Sequence, residues 1–267
     1  MKQLDAVQAI AINTFRETVR DRILYAFILF ACMATIFGIV LGSLSVGQDV
    51  RILKDIGLSA IATIGGVIAV FAGTNLVYKE LERRTIYIIF TKPVSGWQFI
   101  LGKYIGLCLC VLVMVAAMGG FLALLLSLQT GAFQGGDFSQ PICELTQQIG
   151  LIYLELLFVT ALATFFSTFT TPVMSVLFTV SLWLSAHMGD SLIELGKLSQ
   201  NPVISTFLQY LFWLLPDFGG LTRIRAQLLY GRAPDGEVIT YLMSYIFAYI
   251  ILILTFAALV TEQREFT

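Results

Sequence analysis

The sequence has little charge and almost no histidine. Only 12% of its 267 residues are charged, the formal net charge is -1, and the single histidine is His187. Ordinary soluble domains have about a quarter of their residues charged. A near-neutral chain offers no basic surface for nucleic acid, and one histidine excludes a site built from several histidines. We therefore expect no nucleic-acid partner and no bound metal.

Cysteine is also scarce, and its spacing carries no known chemistry. The two closest cysteines, Cys108 and Cys110, are separated by one residue. That spacing fits neither a zinc pair nor a thioredoxin-type motif. Cys32 and Cys143 have no such neighbour, and most of the four lie within apolar runs. We interpret all four as packing residues.

Hydrophobic residues are abundant, at 58% of the chain, with a mean hydropathy of +0.87. A bilayer core about 30 Å thick needs ~20 apolar residues as helix, because backbone groups in lipid must be hydrogen-bonded within the segment. The sequence therefore predicts an all-α integral membrane protein, a single domain over residues 1–267. Six stretches are predicted to span: Ile23–Leu44, Leu58–Val77, Tyr104–Leu128, Ile149–Phe169, Pro172–Met188 and Ile239–Val260.

The first span has an alternative interpretation as a cleavable signal peptide, since small residues follow it. Apolar regions of signal peptides are about 7 to 15 residues long. The run from Ile23 to Leu44 exceeds that length. We therefore expect a permanent anchor.

The distribution of Lys and Arg predicts orientation, because such residues concentrate in cytoplasmic loops. The loop Gln129–Gln148 contains none, and we expect it outside. Both termini are then predicted to be cytoplasmic, with ten of the sixteen Lys and Arg residues inside. These ten are Lys2, Arg16, Arg20, Arg22, Lys79, Arg83, Arg84, Lys92, Lys103 and Arg264.

One segment disagrees with this orientation. The segment between the last two predicted spans contains Arg223, Arg225 and Arg232. A six-span topology would place this segment outside. The same segment holds an apolar stretch, Pro202–Pro216, that is too short to span comfortably and is predicted to be interfacial or re-entrant. The alternative is a seven-span protein, which would put these arginines inside and the C-terminus outside.

Residues 1–22 are predicted to form an amphipathic helix along the inner membrane surface. An ordinary solvated helix leading into the first span is the alternative. The apolar face consists of Leu4, Val7, Ala11, Phe15 and Val19, and the polar face contains Lys2, Asn13, Arg16 and Arg20.

The loop at residues 78–103 concentrates charges and ends in Gly-Lys, which invites comparison with a phosphate-binding loop. Five residues separate Gly96 from Gly102, where a Walker A loop has four, and Tyr104 replaces the Ser or Thr that would hold magnesium. We therefore expect no nucleotide site in this chain. Gly102 and Gly106, like Gly38 and Gly42, fit the small-xxx-small spacing that lets helices approach closely.

The same loop also carries a run of apolar residues between its charges. An apolar centre with a charged rim is typical of a docking surface. An amphipathic segment on the lipid headgroups, anchored by Trp97, is the alternative. The residue chemistry alone favours neither interpretation.

Four segments, in order, resemble a known family. "KELERRTIYIIFTKPVSGWQFILGKYIG" is similar to the loop after the second span of type-2 ABC transporter permeases. The similarity extends to "FRETVRDRILYAFILF", to "SLSVGQDVRILKDIGLSAI" and to "LLPDFGGLTRIR". Together they cover most of the chain, and they look most like the branch related to the permease that accompanies nitrous oxide reductase maturation.

This resemblance implies a six-span permease subunit of an ATP-driven exporter in the plasma (inner) membrane. It would pair with a second copy or a sister permease and sit on two separate ABC ATPase subunits, which bind ATP and Mg; the chain itself would bind no cofactor. Residues 189–238 would be an extracytoplasmic segment with short membrane-dipping helices, and Thr168 to Pro172 a second cytoplasmic contact. Residues 1–22 would be the connecting helix, with Phe15, Arg16 and Arg20. The coupling loop that docks on the ATPase would use Glu80, Glu82, Arg83, Arg84, Thr85, Ile86, Tyr87, Phe90, Lys92 and Pro93.

Glu155 is the one acid well inside a predicted span. An intramembrane carboxylate is by default a functional candidate, here for a substrate path. The alternative is that it reaches the interface, because it lies only about 9 Å from the predicted start of its helix.

Two further functions are alternatives to the exporter. An intramembrane enzyme could pair His187 with Asp190 as base and orienting acid, although a helix-capping role for Asp190 is the simpler interpretation. An ATP-independent secondary transporter would be expected to show internal repeats, and the two halves of this sequence show no convincing similarity.

Overall fold

The computed structural model describes residues 3–43, 49–82, 95–129, 139–188, 203, 205–206, 210, 218–229 and 236–265. The regular structure within these ranges is helical, which confirms the predicted all-α class. In chain order the helices are α1 Gln3–Val19, α2 Arg22–Ser43, α3 Asp49–Glu82, α4 Gly96–Gln129, α5 Ser139–Ser167, α6 Pro172–His187, α7 Gly219–Leu229 and α8 Gly236–Glu265.

Five of these helices are long and apolar enough to cross a membrane, and each corresponds to a predicted span. Their apolar spans are Leu24–Gly42, Asp49–Thr74, Gly96–Gln129, Ile142–Ser167 and Gly236–Glu262. The remaining predicted span is α6, a shorter apolar helix of 16 residues that begins at a proline. Proline is tolerated at the first turn, where its missing N–H has no helical partner in any case.

The helices on either side of the charged loop are longer than the apolar runs indicated. α3 continues through Glu82 and α4 begins at Gly96, so both extend into the loop predicted at residues 78–103. An apolar run ends where the hydrocarbon ends, but a helix continues into water wherever its residues favour it, as Lys and Glu do. The predicted docking residues Arg83 to Pro93 lie outside the described residues, as do the side chains of Glu80 and Glu82.

The N-terminal helix packs on the start of α4. A Cβ on Gly102 would lie 2.8 Å from the Cβ of Ile10, and one on Gly106 would lie 2.5 Å from the backbone oxygen of Ala11. The predicted close approach at these two glycines is therefore confirmed, and their partner is α1. The apolar face of α1 is turned to protein, with Thr14 buried behind it.

Two polar contacts define the two ends of the bundle. The Nζ of Lys54, near the start of α3, lies 3.2 Å from Oε2 of Glu144, near the start of α5. At the other end of α3, Thr74 and Ser175 bring their hydroxyl oxygens within 3.4 Å. The start of α4, on which α1 packs, follows the end of α3 along the chain. We therefore call the end of the bundle that holds α1, the end of α3 and the starts of α4 and α6 its N-terminal end.

After α6 the chain returns to the point where that helix ended. The backbone N–H of Phe218 donates to the carbonyl of Ala186 across 3.3 Å. The ring of Phe218 lies 5.1 Å from that of Phe158 on α5. Further along α7, the guanidinium of Arg225 donates to the carboxylate of Glu155, which precedes Phe158 on α5. α7 therefore runs back toward the end where α5 begins. Ala186 and Phe218 are therefore neighbours in space, as a six-span arrangement requires. The predicted interfacial stretch Pro202–Pro216 lies largely outside the described residues.

Candidate functional site

Glu155 lies in the middle of the membrane-spanning part of α5. It is about 20 Å from Ile142 and about 18 Å from Ser167, at 1.5 Å per residue. The helix begins at Ser139, ten residues before the predicted start, because polar residues before the apolar run continue the helix. Glu155 is 1% exposed. The predicted helix start, which put Glu155 only about 9 Å into its helix, was therefore wrong, and the reason for placing Glu155 at the interface is removed.

Three donors from two other helices surround the Glu155 carboxylate. Its Oε1 accepts a hydrogen bond from the indole Nε1 of Trp183 at 2.9 Å and lies 3.2 Å from Nε2 of His187. Its Oε2 lies 3.4 Å from Nη1 of Arg225. We call these four residues the carboxylate network. A charge buried without partners is very costly, and the network supplies one opposite charge and two further donors.

His187 faces an oxygen atom with each ring nitrogen. Nε2 faces Glu155, and Nδ1 lies 3.1 Å from the backbone carbonyl oxygen of Trp183, four residues earlier on α6. Its side chain is 31% exposed, whereas that of Glu155 is 2% exposed. The imidazole therefore occupies the border between the buried carboxylate and the surroundings of the protein.

Aromatic rings enclose the network. The rings of Trp183 and His187 are 5.8 Å apart in an edge-to-face arrangement, and His187 makes a similar contact with Phe218 at 5.6 Å. Phe218 is itself fully buried against Phe158. Apolar walls lower the local dielectric constant, so the interactions of Glu155 are stronger here than in water.

Glycines on α3 create the space for Trp183 and for α5. A Cβ on Gly66 would lie 2.2 Å from Cη2 of Trp183, and one on Gly65 would lie 2.7 Å from Cδ1 of Leu156, the residue after Glu155. A real Cβ does not approach this closely, so the absence of a side chain fixes how deeply the indole is seated. The position of the network is therefore set by α3.

The same helix is tightly packed nearer the N-terminal end of the bundle. A Cβ on Gly73 would lie 2.6 Å from that of Ala163, and the Ser175 hydroxyl lies 3.4 Å from the Ala163 carbonyl as well as from Thr74. Small residues therefore bring α3, α5 and α6 together at two places. One is the carboxylate network, at Gly65 and Gly66, and the other is the contact around Gly73, Ala163 and Ser175.

The other predicted site residues that the structure describes lie at the N-terminal end of the bundle. Phe15 is half-buried on α1, while Arg16 and Arg20 are exposed. The residues from Thr168 to Pro172 form the turn between α5 and α6, and the Thr168 hydroxyl donates to the Phe165 carbonyl at 2.7 Å. Whether they contact an ATPase stays a prediction.

Trp183 and Arg225 were not predicted as site residues, and His187 was placed in a different pair. Asp190, its predicted partner, lies outside the described residues. One signal in the sequence did point here, since Arg225 was an arginine in a segment predicted to lie outside. Its partner is the buried acid Glu155, which accounts for one of the three arginines in that segment.

Two comparisons with known proteins complete the picture. No curated protein matches the chain. A family model described as ABC-2 family transporter protein matches residues 8–265. With its several membrane-spanning helices, the chain is a multi-pass membrane protein of the kind that works with ABC ATPase subunits. It belongs to the ABC-2 transporter family, as a permease component.

Proposed function

We propose that this chain is the permease subunit of an ATP-driven exporter in the inner membrane, with both termini in the cytoplasm. Two separately encoded ATPases would bind ATP and Mg and dock on residues 78–103, and a second permease copy or a sister chain would complete the membrane domain. The four sequence segments described above support the branch related to nitrous oxide reductase maturation. The distribution of Lys and Arg supports the orientation.

The observation that carries this proposal is the continuity of α3. The helix runs without interruption from Asp49 to Glu82, so its last turn enters the proposed docking loop. The same helix contacts Trp183 through Gly66 and Ala163 through Gly73. A displacement of the loop would therefore be transmitted along one rigid element to the carboxylate network, and no second element is needed to carry it.

The proposed mechanism uses the network as a lock on one arrangement of the helices. In the arrangement seen here, Glu155 holds α6 through Trp183 and His187, and holds α7 through Arg225. When α3 shifts, the indole loses its place against Gly66 and the lock weakens. ATP binding can favour the other arrangement of the helices only if the ATPases interact differently with the two arrangements. Docking at the end of α3 would provide such a difference, because α3 is the helix that shifts between them.

The test is purification of the full chain in mild detergent, followed by assay for a co-purifying ATPase. We expect ATP hydrolysis to come down with the wild type and to weaken with Glu82→Ala/Arg83→Ala. The matched control is Asp49→Ala/Arg51→Ala, an acid and a base removed at the opposite end of α3. It should leave the co-purifying activity unchanged.

Two outcomes would contradict the proposal. If no ATPase accompanies the wild type in several detergents, the exporter has no source of energy, and an ATP-independent transporter or an intramembrane enzyme becomes the better interpretation. If both double variants lose the ATPase equally, the loop is not the docking element.

A further inference from the structure

The geometry of His187 fixes which form of its ring fits the site. A neutral imidazole has one donor nitrogen and one acceptor nitrogen, and an imidazolium has two donors. Here Nε2 faces the Glu155 carboxylate at 3.2 Å and Nδ1 faces the Trp183 carbonyl at 3.1 Å. Both partners are acceptors. With Glu155 ionised, either neutral tautomer would leave one ring lone pair directed at an oxygen lone pair, and only the imidazolium makes both hydrogen bonds.

We propose that His187 is a proton-binding site, and that its protonation locks the end of α6 onto α5. This goes beyond the proposed function, because it concerns a ligand, the proton, that ATP-driven export does not require. It rests on the proposed function only in one respect, which is that α6 and α5 are the helices expected to move apart during transport. Loss of the proton removes the positive charge that faces Glu155 and one of the two hydrogen bonds. The ion pair between α6 and α5 is then lost, and α6 offers the carboxylate only neutral donors.

Among the described residues, two charged groups face the imidazole, one from α5 and one from α7, while α3 meets α6 through Gly66 and brings no charge to that contact. Glu155 of α5 favours the protonated ring, and Arg225 of α7 opposes it. The Phe218 ring covers the site from the start of α7, and Trp183 flanks it on α6. Glu155 is in direct contact with the ring, whereas Arg225 acts across the carboxylate. The attraction therefore outweighs the repulsion, because Coulomb energy falls with distance.

The ring is also placed to exchange its proton. Its side chain is 31% exposed, at the end of α6 that lies opposite the N-terminal end of the bundle. The carboxylate behind it is 2% exposed and has no comparable access. On the proposed orientation the end of α6 lies toward the outside, so protons would reach His187 from that side, through water that enters to the depth of Glu155.

The first test observes the ring directly. Because the chain has one histidine, the full protein labelled with ¹⁵N-histidine in lipid nanodiscs gives a single imidazole by NMR. We expect both nitrogens protonated at neutral pH. Glu155→Gln should move the titration midpoint to lower pH by about one unit, a tenfold loss of proton affinity. Arg225→Gln should move it to higher pH.

The opposite signs of these two shifts make the test independent of folding losses, since a general disturbance of the site would move both variants the same way. A wild-type ring that is neutral at pH 7, or a midpoint that neither variant changes, would overturn the proposal. The measurement needs no ATPase, so its failure and the failure of the exporter proposal are distinguishable.

The second test observes the lock. Trp97→Phe/Trp213→Phe leaves Trp183 as the only tryptophan, and its quenching by acrylamide reports how open the network is. We expect quenching to increase as pH rises through the His187 midpoint, and to be independent of pH when His187→Gln is added. Equal quenching at low and high pH with His187 present would show that protonation does not hold α6.

Discussion

The indole ring of Trp183 occupies the space that a side chain on Gly66 would need. The nearest ring carbon, Cη2, would be 2.2 Å from a Cβ on that residue. This contact couples α3 to the carboxylate network, because the same indole donates its hydrogen bond to Glu155 at 2.9 Å. The fit of one ring against one glycine therefore links the helix that enters the proposed coupling loop to the buried charge.

Gly66→Val should displace the indole and break its bond to Glu155. Overpacking costs about 1–3 kcal/mol, and loss of a hydrogen bond to a charged group costs about as much. We expect the melting temperature of the full chain in detergent to fall by several degrees, with a red shift of Trp183 emission.

Gly120→Val on α4 is the matched control, because a Cβ there would meet no described atom within 4 Å. Its melting temperature should stay close to that of the wild type. A similar loss in both variants would mean that Gly66 matters for helix conformation and not for seating Trp183.

Breaking the ion pair between Glu155 and Arg225 should cost more when one partner is removed than when both are. Removing a single partner leaves the other charge in a poorly hydrated site, at a cost of about 3 kcal/mol. We expect Arg225→Leu to destabilise the protein strongly and Glu155→Gln/Arg225→Leu to recover part of that loss. Thermal unfolding of the wild type, the two single variants and the double variant gives the coupling energy, and a coupling energy near zero would contradict the pairing.

The spans could be predicted from the sequence, but the network could not. Each span follows from an apolar run of sufficient length, which is a local property. Glu155 is separated from Trp183 by 28 positions and from Arg225 by 70, so their meeting depends on how three helices pack. The helix start at Ser139 was missed for a related reason, since hydropathy reports where the lipid begins and not where the backbone becomes helical.

The ion pair between Lys54 and Glu144 should contribute modestly. The two atoms are 3.2 Å apart, but the Glu144 side chain is one-third exposed, and water screens such pairs to about 0.5–1 kcal/mol. Charge reversal at either position alone should lower stability by roughly that amount, and Lys54→Glu/Glu144→Lys should restore it. The effect should shrink at high salt, and a loss that persists in high salt would indicate packing and not charge.

The seat of α1 on α4 gives the last prediction. Gly102 faces Ile10 and the backbone oxygen of Val7, and a Cβ on Gly102 would lie 2.8 Å and 3.1 Å from them. A larger side chain must push α1 away, because backbone atoms do not yield as a flexible side-chain end does. We expect Gly102→Leu to expose the buried face of α1 to protease, with cleavage near Arg16 or Arg20 at a rate at least several-fold above wild type. Gly120→Leu, on the same helix but facing open space, should be cleaved at the wild-type rate. Equal cleavage of both variants would show that α1 is held by contacts other than this one.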